Sequence, residues 1–169
     1  VLARLLAQYY IDAERPFLAF DGDLSHGALL RFYGDYAKPV DVSQFESADL
    51  IAEACASTGQ DVIVDLAAQT NRTLESWMLE SGLLDLAEEL GITVTLWHVM
   101  DDGSDSLQLL KKLLNDYAGQ GQVVIACNYG RGNNFSHLKE PVVIRQIEKT
   151  SAKVIEIPAL NAAAMRKID

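Results

Sequence analysis

The sequence predicts an α/β fold in which a doubly wound, mainly parallel sheet carries helices on both faces. Short, continuously apolar runs alternate along the chain with longer segments whose apolar residues recur at helical spacing. Because the runs do not alternate polar with apolar residues, the strands are expected to be buried on both faces, as in parallel sheets. The runs predicted as strands are residues 16–20, 61–67, 92–99, 122–127 and 153–157.

The first half of the chain is predicted to contain three helices. Leucines at helical spacing predict a helix over residues 1–13, directly before the first strand. A capping serine opens the segment 47–57, which is predicted as the second helix. The third is a long amphipathic helix over residues 73–90, which ends at Gly91.

The second half continues the same alternation. Residues 104–117 are predicted as a helix, and residues 128–134 as a polar, glycine-rich loop after the fourth strand. A helix over residues 141–149 carries proline in its first turn, and the segment 162–167 follows the last strand. Since no repeat, low-complexity stretch or linker interrupts the pattern, residues 1–169 are predicted to form a single domain.

Composition and charge exclude several classes of function. The 169 residues carry a formal net charge of −10, which argues against a broad nucleic-acid-binding face, because neutralising phosphates requires clustered Lys and Arg. No apolar run is long enough to span a bilayer, and the first ten residues lack the basic start of a signal peptide. Cys55 and Cys127 have no metal-ligand spacing, so they are expected to be buried thiols of a cytoplasmic protein.

Polar residues follow the predicted strands where a parallel sheet binds ligands. Asp21 and Asp23 end the first strand, Asp65 lies in the second, and Asn128 and Pro158 follow two others. Paired carboxylates favour a hydrated cation or polarise a water, and a strand-terminal acid can hold Mg²⁺ through water. The alternative is an acidic turn in which aspartate caps a helix. The pattern predicts a metal-phosphate site at this edge.

These residues resemble the ParA/MinD group of P-loop ATPases. The resemblance covers nearly the whole chain and rests on the order of its motifs: strand-DxD, then DVIVD, then a strand ending in Asn, and finally EIPALNAAA. VLARLLAQYY is similar to the helix that follows the group's KGGVGK[ST] loop. The chain contains no GxxxxGK[ST], so the loop and the strand feeding it are expected upstream of residue 1. Without that strand, the acid-bearing strands would expose unpaired ladder groups.

The resemblance implies a role for each matching residue. Asp23 would orient or activate the attacking water, with Asp21 supporting the same region, and Asp65 would hold Mg²⁺ through water. The amide of Asn128 would pair with the adenine of ATP. The residues implied to pack against the base are Pro158, Ala159 and Leu160.

The resemblance also implies how such a protein works. Residues 24–28 and 67–72 would be the two switch segments, and ATP binding would form a homodimer that engages a partner protein or a cargo complex. The usual tasks of the group are plasmid or chromosome partition, mobilisation and positioning of cargo. The second switch lacks the group's Pro and Gly after the acid, which favours a second interpretation: a nucleotide-fold scaffold that binds a protein partner without hydrolysis.

A third interpretation belongs to another enzyme class. FLAFDGDLS also resembles the opening motif of haloacid-dehalogenase-type phosphatases, in which Asp21 would be the nucleophile and Asp23 a general acid. VMDDGSD would then be the late metal-binding motif of that family. His26 and Arg131 are expected to be exposed loop residues, and Asn128 without the resemblance would be an ordinary turn former.

Overall fold

The structure is a computed structural model that describes residues 2–67, 70–117, 120–159 and 161. Its strands are parallel and alternate with helices, which confirms the predicted α/β class. The chain divides into two compact units, Val1–Ile92 and Thr93–Asp169, each built on a three-stranded sheet. Within the described ranges, none of the helices has both the length and the apolar character needed to cross a bilayer.

The first unit contains a sheet with the strand order β2-β1-β3. Residues Phe17 to Asp21 of β1 pair in register with Asp61 to Asp65 of β3. Its elements in chain order are α1 (Leu2–Asp12), β1 (Phe17–Asp21), α2 (Ala28–Tyr33), β2 (Ala37–Pro39), α3 (Phe45–Thr58), β3 (Asp61–Asp65), α4 (Asn71–Glu80) and α5 (Leu83–Glu89).

Helices cover both faces of this first sheet. Phe17 and Ala19 of β1 pack with the small residues Ala3 and Ala7 of α1, whose size lets the helix approach the sheet closely. The intervening residues of β1 point the opposite way, toward α3. Both α1 and α3 contact β3, which pairs only with β1 among the described strands. The apolar strand β3 is therefore covered on both faces but lies at a sheet edge.

The second unit contains a sheet with the strand order β4-β5-β6. Its central strand is almost fully buried, and α6 and α7 supply Leu110, Leu114 and Val143 to a core around Ile125. The elements are β4 (Thr95–Met100), α6 (Ser104–Asp116), β5 (Gln122–Asn128), a 3₁₀ helix (Ser136–Lys139), α7 (Pro141–Thr150) and β6 (Lys153–Ile157).

Several local predictions need correction. Helix α3 begins at Phe45, so Ser47 lies inside the helix and does not cap it. The helix predicted over residues 73–90 is two helices, α4 and α5, because Gly82 adopts a left-handed backbone with φ of 61° between them. Helix α2 and strand β2 were not predicted, since six and three residues are too short to show a period. The segment 162–167, also named from the sequence, lies outside the described residues.

Candidate functional site

The carboxyl ends of β1 and β3 lie side by side in the first unit. Asp21 is the register partner of Asp65, and the N–H of Gly22 donates to the carbonyl oxygen of Asp65 at 2.7 Å. A Cβ at Gly22 would lie 3.2 Å from that oxygen, so glycine suits this close approach. The structure thus brings the DxD segment and Asp65 to one edge of the sheet, as the parallel topology predicted.

Asp21 anchors the loop after β1 and the helix that follows it. The residue is 0% exposed. Its Oδ1 accepts the N–H of Asp23 at 3.0 Å, and its Oδ2 accepts the N–H groups of Leu29 and Leu30, both at 2.9 Å. The carboxylate therefore caps α2 from the end of β1. Burial and three backbone donors leave it poorly placed to act as a nucleophile, which argues against the phosphatase interpretation.

Asp23 organises the turn that follows. Its Oδ1 accepts the N–H groups of Ser25 at 3.2 Å and His26 at 3.1 Å. The Nδ1 atom of His26 lies 3.2 Å from Oδ1 and 3.1 Å from Oδ2. The backbone and ring contacts with His26 hold the pKa of Asp23 below its ordinary value. The carboxylate is therefore ionised, and 31% of its side-chain surface is exposed to solvent.

Asp65 is in a different electrostatic environment. Burial raises the pKa of this half-buried carboxyl, and the negative charges of Asp21 and Asp23 raise that pKa further. The positive charge of Arg4, in the first turn of α1, lowers it. The charges of Asp21 and Asp23 thus disfavour ionisation of Asp65, and a cation beside Asp65 would relieve this repulsion.

A magnesium ion with few protein ligands fits this arrangement better than a closed protein cage. In the ranges that the structure describes, no three His, Cys, Asp or Glu side chains converge as ligands for a metal ion. Mg²⁺ typically keeps several waters and is held through one or two carboxylates together with substrate phosphates. A single ligand such as Asp65 is compatible with this kind of coordination, and its role as a Mg²⁺ ligand stays a prediction.

The predicted adenine contacts belong to the second unit. Asn128 ends β5, and its Oδ1 accepts the N–H of Gly130 at 3.0 Å, so it does form a turn. Pro158 and Ala159 directly follow β6, while Leu160 lies outside the described residues. The structure leaves the base-recognition roles of these residues as predictions.

The acids after β4 bond to the backbone of the second unit. Asp102 accepts the N–H groups of Asn133 at 2.9 Å and Asn134 at 3.2 Å through Oδ2, and these bonds lower its pKa. Asp101 accepts the N–H of Gly103 at 3.0 Å. Asp102 connects the loops after β4 and β5, and Asp101 stabilises the first of these loops. These structural tasks differ from the metal binding required by the phosphatase interpretation.

Gly132→Ala is expected to destabilise the protein by about 2 kcal/mol, a typical result of forcing an atom into a packed site. A Cβ at Gly132 would lie 2.6 Å from Cγ and 2.7 Å from the backbone nitrogen of Asp102, so rotation of the aspartate cannot relieve the clash. Gly130→Ala is the matched control, because its Cβ would meet only the Asn128 side chain, at 3.1 Å. Urea unfolding followed by circular dichroism measures both. Equal stability of the two variants would contradict the close approach.

Two residues of the acidic edge were not predicted from the sequence. His26 is an exposed loop residue, as expected, but its contact with Asp23 was not predicted, although a position three residues after Asp23 and before a glycine is typical of a capped turn. Arg4 carries no such signal, because a helical arginine among leucines is usually exposed, whereas here it is 9% exposed. Its guanidinium carbon lies 4.6 Å from the ring centre of Phe32.

Comparisons with protein-family models, with curated proteins and with solved structures give no match to this chain.

Proposed function

We propose that the chain is the greater part of a ParA/MinD-like ATPase, with its phosphate chemistry at the carboxyl end of the first unit's sheet. The observation that carries the proposal is the pairing of Asp21 with Asp65 at the carboxyl ends of β1 and β3. Burial and the neighbouring charges of Asp21 and Asp23 also raise the pKa of Asp65. Perturbed carboxyls gathered at a ligand-binding edge are typical of functional sites. The acids favour a cofactor that carries a divalent cation, and Mg²⁺ with ATP meets that requirement.

The position of α1 supports an adjacent phosphate site. Arg4 lies in the first turn of this helix and acts electrostatically on Asp65, so α1 begins near the acidic edge. A loop leading into α1 would direct its N–H groups to the same edge, as in known phosphate-binding loops. The proposal requires such a loop, of the KGGVGK[ST] type, in the coding sequence before residue 1. The edge of β3 that faces away from β1 has backbone N–H and C=O groups that could pair with the strand leading into this loop.

Asp21, Asp23 and Asp65 would each have a different role in phosphoryl transfer. Asp65 would hold Mg²⁺ through water, and the ion would supply positive charge against the negative charge that develops on the phosphates. The ionised carboxylate of Asp23 accepts a hydrogen bond from the attacking water and orients it. Asp21, which caps α2 from within the unit, keeps the loop that carries Asp23 in place.

The wider function follows from the same resemblance. ATP binding would bring two copies together in the cytoplasm, and the dimer would engage a partner protein or a cargo such as plasmid DNA in partition or mobilisation. With a net charge of −10, the contact with DNA would be made by a partner rather than by this segment.

The test is magnesium-dependent ATP turnover by the protein expressed from its complete reading frame. Asp23→Asn is expected to lower kcat by about a hundredfold, as for loss of a group that positions a reactant. Asp41→Asn is the matched control, because Asp41 also accepts a backbone N–H two residues ahead, but it follows β2.

Each alternative has its own outcome in this experiment. ATP binding without turnover would select the scaffold, and hydrolysis of a phosphomonoester without ATP binding would select the phosphatase. An upstream reading frame that lacks a phosphate-binding loop would refute the ATPase.

A further inference from the structure

We infer that His26 is the positioning residue of Asp23: its Nδ1–H donates to the Asp23 carboxylate and fixes the orientation of that group. The inference rests on the proposed function, in which Asp23 orients the attacking water. It assigns a role to a residue that the motif resemblance leaves without one.

The two oxygens of Asp23 have different sets of hydrogen-bond donors, which share the imidazole of His26. The backbone N–H groups of Ser25 and His26 reach Oδ1 at 3.2 and 3.1 Å. The imidazole is within 3.1 Å of Oδ2 and 3.2 Å of Oδ1. Backbone bonds to one oxygen leave the carboxylate free to rotate about that contact. The ring of His26, by reaching both oxygens, restricts this rotation.

The contact also determines the tautomer of the histidine. An ionised carboxylate only accepts hydrogen bonds, so the proton of a neutral His26 ring must lie on Nδ1. The side chain of His26 is 82% exposed, which leaves Nε2 in contact with water. An ion pair or hydrogen bond this exposed adds little stability. Its effect is therefore expected on the orientation of Asp23 and not on folding.

Nitrogen NMR on the nucleotide-free protein tests the contact without any assay of activity. The ¹⁵N shifts of His26 are expected to show the Nδ1–H tautomer in the wild-type protein. In Asp23→Ala, which removes the acceptor, they are expected to revert to the Nε2–H form favoured by free imidazole side chains. A wild-type ring in the Nε2–H form, or no change in the variant, would overturn the inference.

Turnover of ATP tests the positioning role. His26→Ala is expected to lower kcat roughly five- to tenfold with KM unchanged, less than the hundredfold that a 1 Å misplacement can cost, because the contact is exposed. His26→Asn should restore most of the rate, since its amide nitrogen can replace Nδ1–H as the donor to Asp23.

The outcomes of the two measurements separate the inference from the function. A wild-type kcat in His26→Ala, or a failure of His26→Asn to restore the rate, refutes the positioning role. If the wild-type protein has no ATP turnover, the proposed function fails, and the nitrogen shifts still decide whether His26 holds Asp23.

Discussion

Asp21→Ala is expected to lower the free energy of unfolding by about 3 kcal/mol, the size of effect seen when one partner of a buried charged network is removed. The carboxylate is 0% exposed and accepts three backbone N–H groups. Alanine leaves the N–H groups of Asp23, Leu29 and Leu30 without that acceptor. The start of α2 then loses its cap, and the loop after β1 loses its anchor.

Urea unfolding followed by circular dichroism measures this loss. Asp21→Asn is expected to fall between the wild type and Asp21→Ala, because it keeps one acceptor oxygen but turns an NH₂ group toward backbone donors. Asp41→Ala is the matched control: Asp41 also accepts local hydrogen bonds, but its side chain is not fully buried. If Asp21→Ala were no less stable than Asp41→Ala, the anchoring role of Asp21 would be wrong.

The apolar runs carried enough information to predict the fold class and five of the six strands in the described part of the chain. DVIVD is an example: its valines and isoleucine allow burial on both faces, and β3 indeed contacts both α1 and α3. The same pattern could not predict the short elements α2 and β2. The three residues of β2 owe their strand conformation to pairing with β1, a long-range contact that leaves no periodic pattern in the sequence.

Apart from the family resemblances, the sequence pattern could not distinguish the two aspartates of the DxD segment. Both follow the same apolar run and flank the same glycine, so local pattern assigns them the same chemistry. The difference between them arises from Leu29 and Leu30, whose N–H groups return to Asp21 from eight and nine residues away. That contact exists only after α2 has formed, so the division into a buried anchor and a partly exposed carboxylate required the structure.

Asp65→Asn is expected to abolish magnesium-dependent ATP turnover and at the same time to stabilise the fold. Loss of the group that holds the ion should lower kcat by at least about a hundredfold. The free energy of unfolding should rise by about 1 kcal/mol, within the range found when a strained functional residue is replaced. The gain arises because the amide removes a half-buried charge that lies beside those of Asp21 and Asp23.

The stability gained by Asp65→Asn over the wild type should increase as the pH rises. The pKa of Asp65 is raised in the folded state by burial and like charges, so the folded protein holds this proton more tightly than the unfolded chain does. Below the unfolded pKa of about 3.9 the carboxyl is protonated in both states, and the wild type should be as stable as Asp65→Asn. As the pH rises from there through the folded pKa, ionisation lowers the stability of the wild type alone.

The control variant comes from the opposite end of the same strand. Asp61 begins β3 and makes an exposed ion pair with Arg15, whose Nη2 lies 2.7 Å from Oδ2. Asp61→Asn removes an equal charge together with an exposed ion pair, and it weakens a hydrogen bond with Tyr10, so it should reduce stability by about 1 kcal/mol and leave turnover unchanged.

Urea unfolding between pH 4 and 8, combined with ATP turnover, compares the two variants. If Asp65→Asn lost stability as Asp61→Asn does, the strand-end carboxylates would not repel one another, and the case for a cation at this edge would fail. A gain in stability accompanied by wild-type turnover would support the repulsion between the carboxylates but would exclude a role for Asp65 in the reaction. The proposed role of Asp65 predicts both results together. Asp65→Asn should lose turnover and gain stability, because the charge that would bind the ion also destabilises the fold.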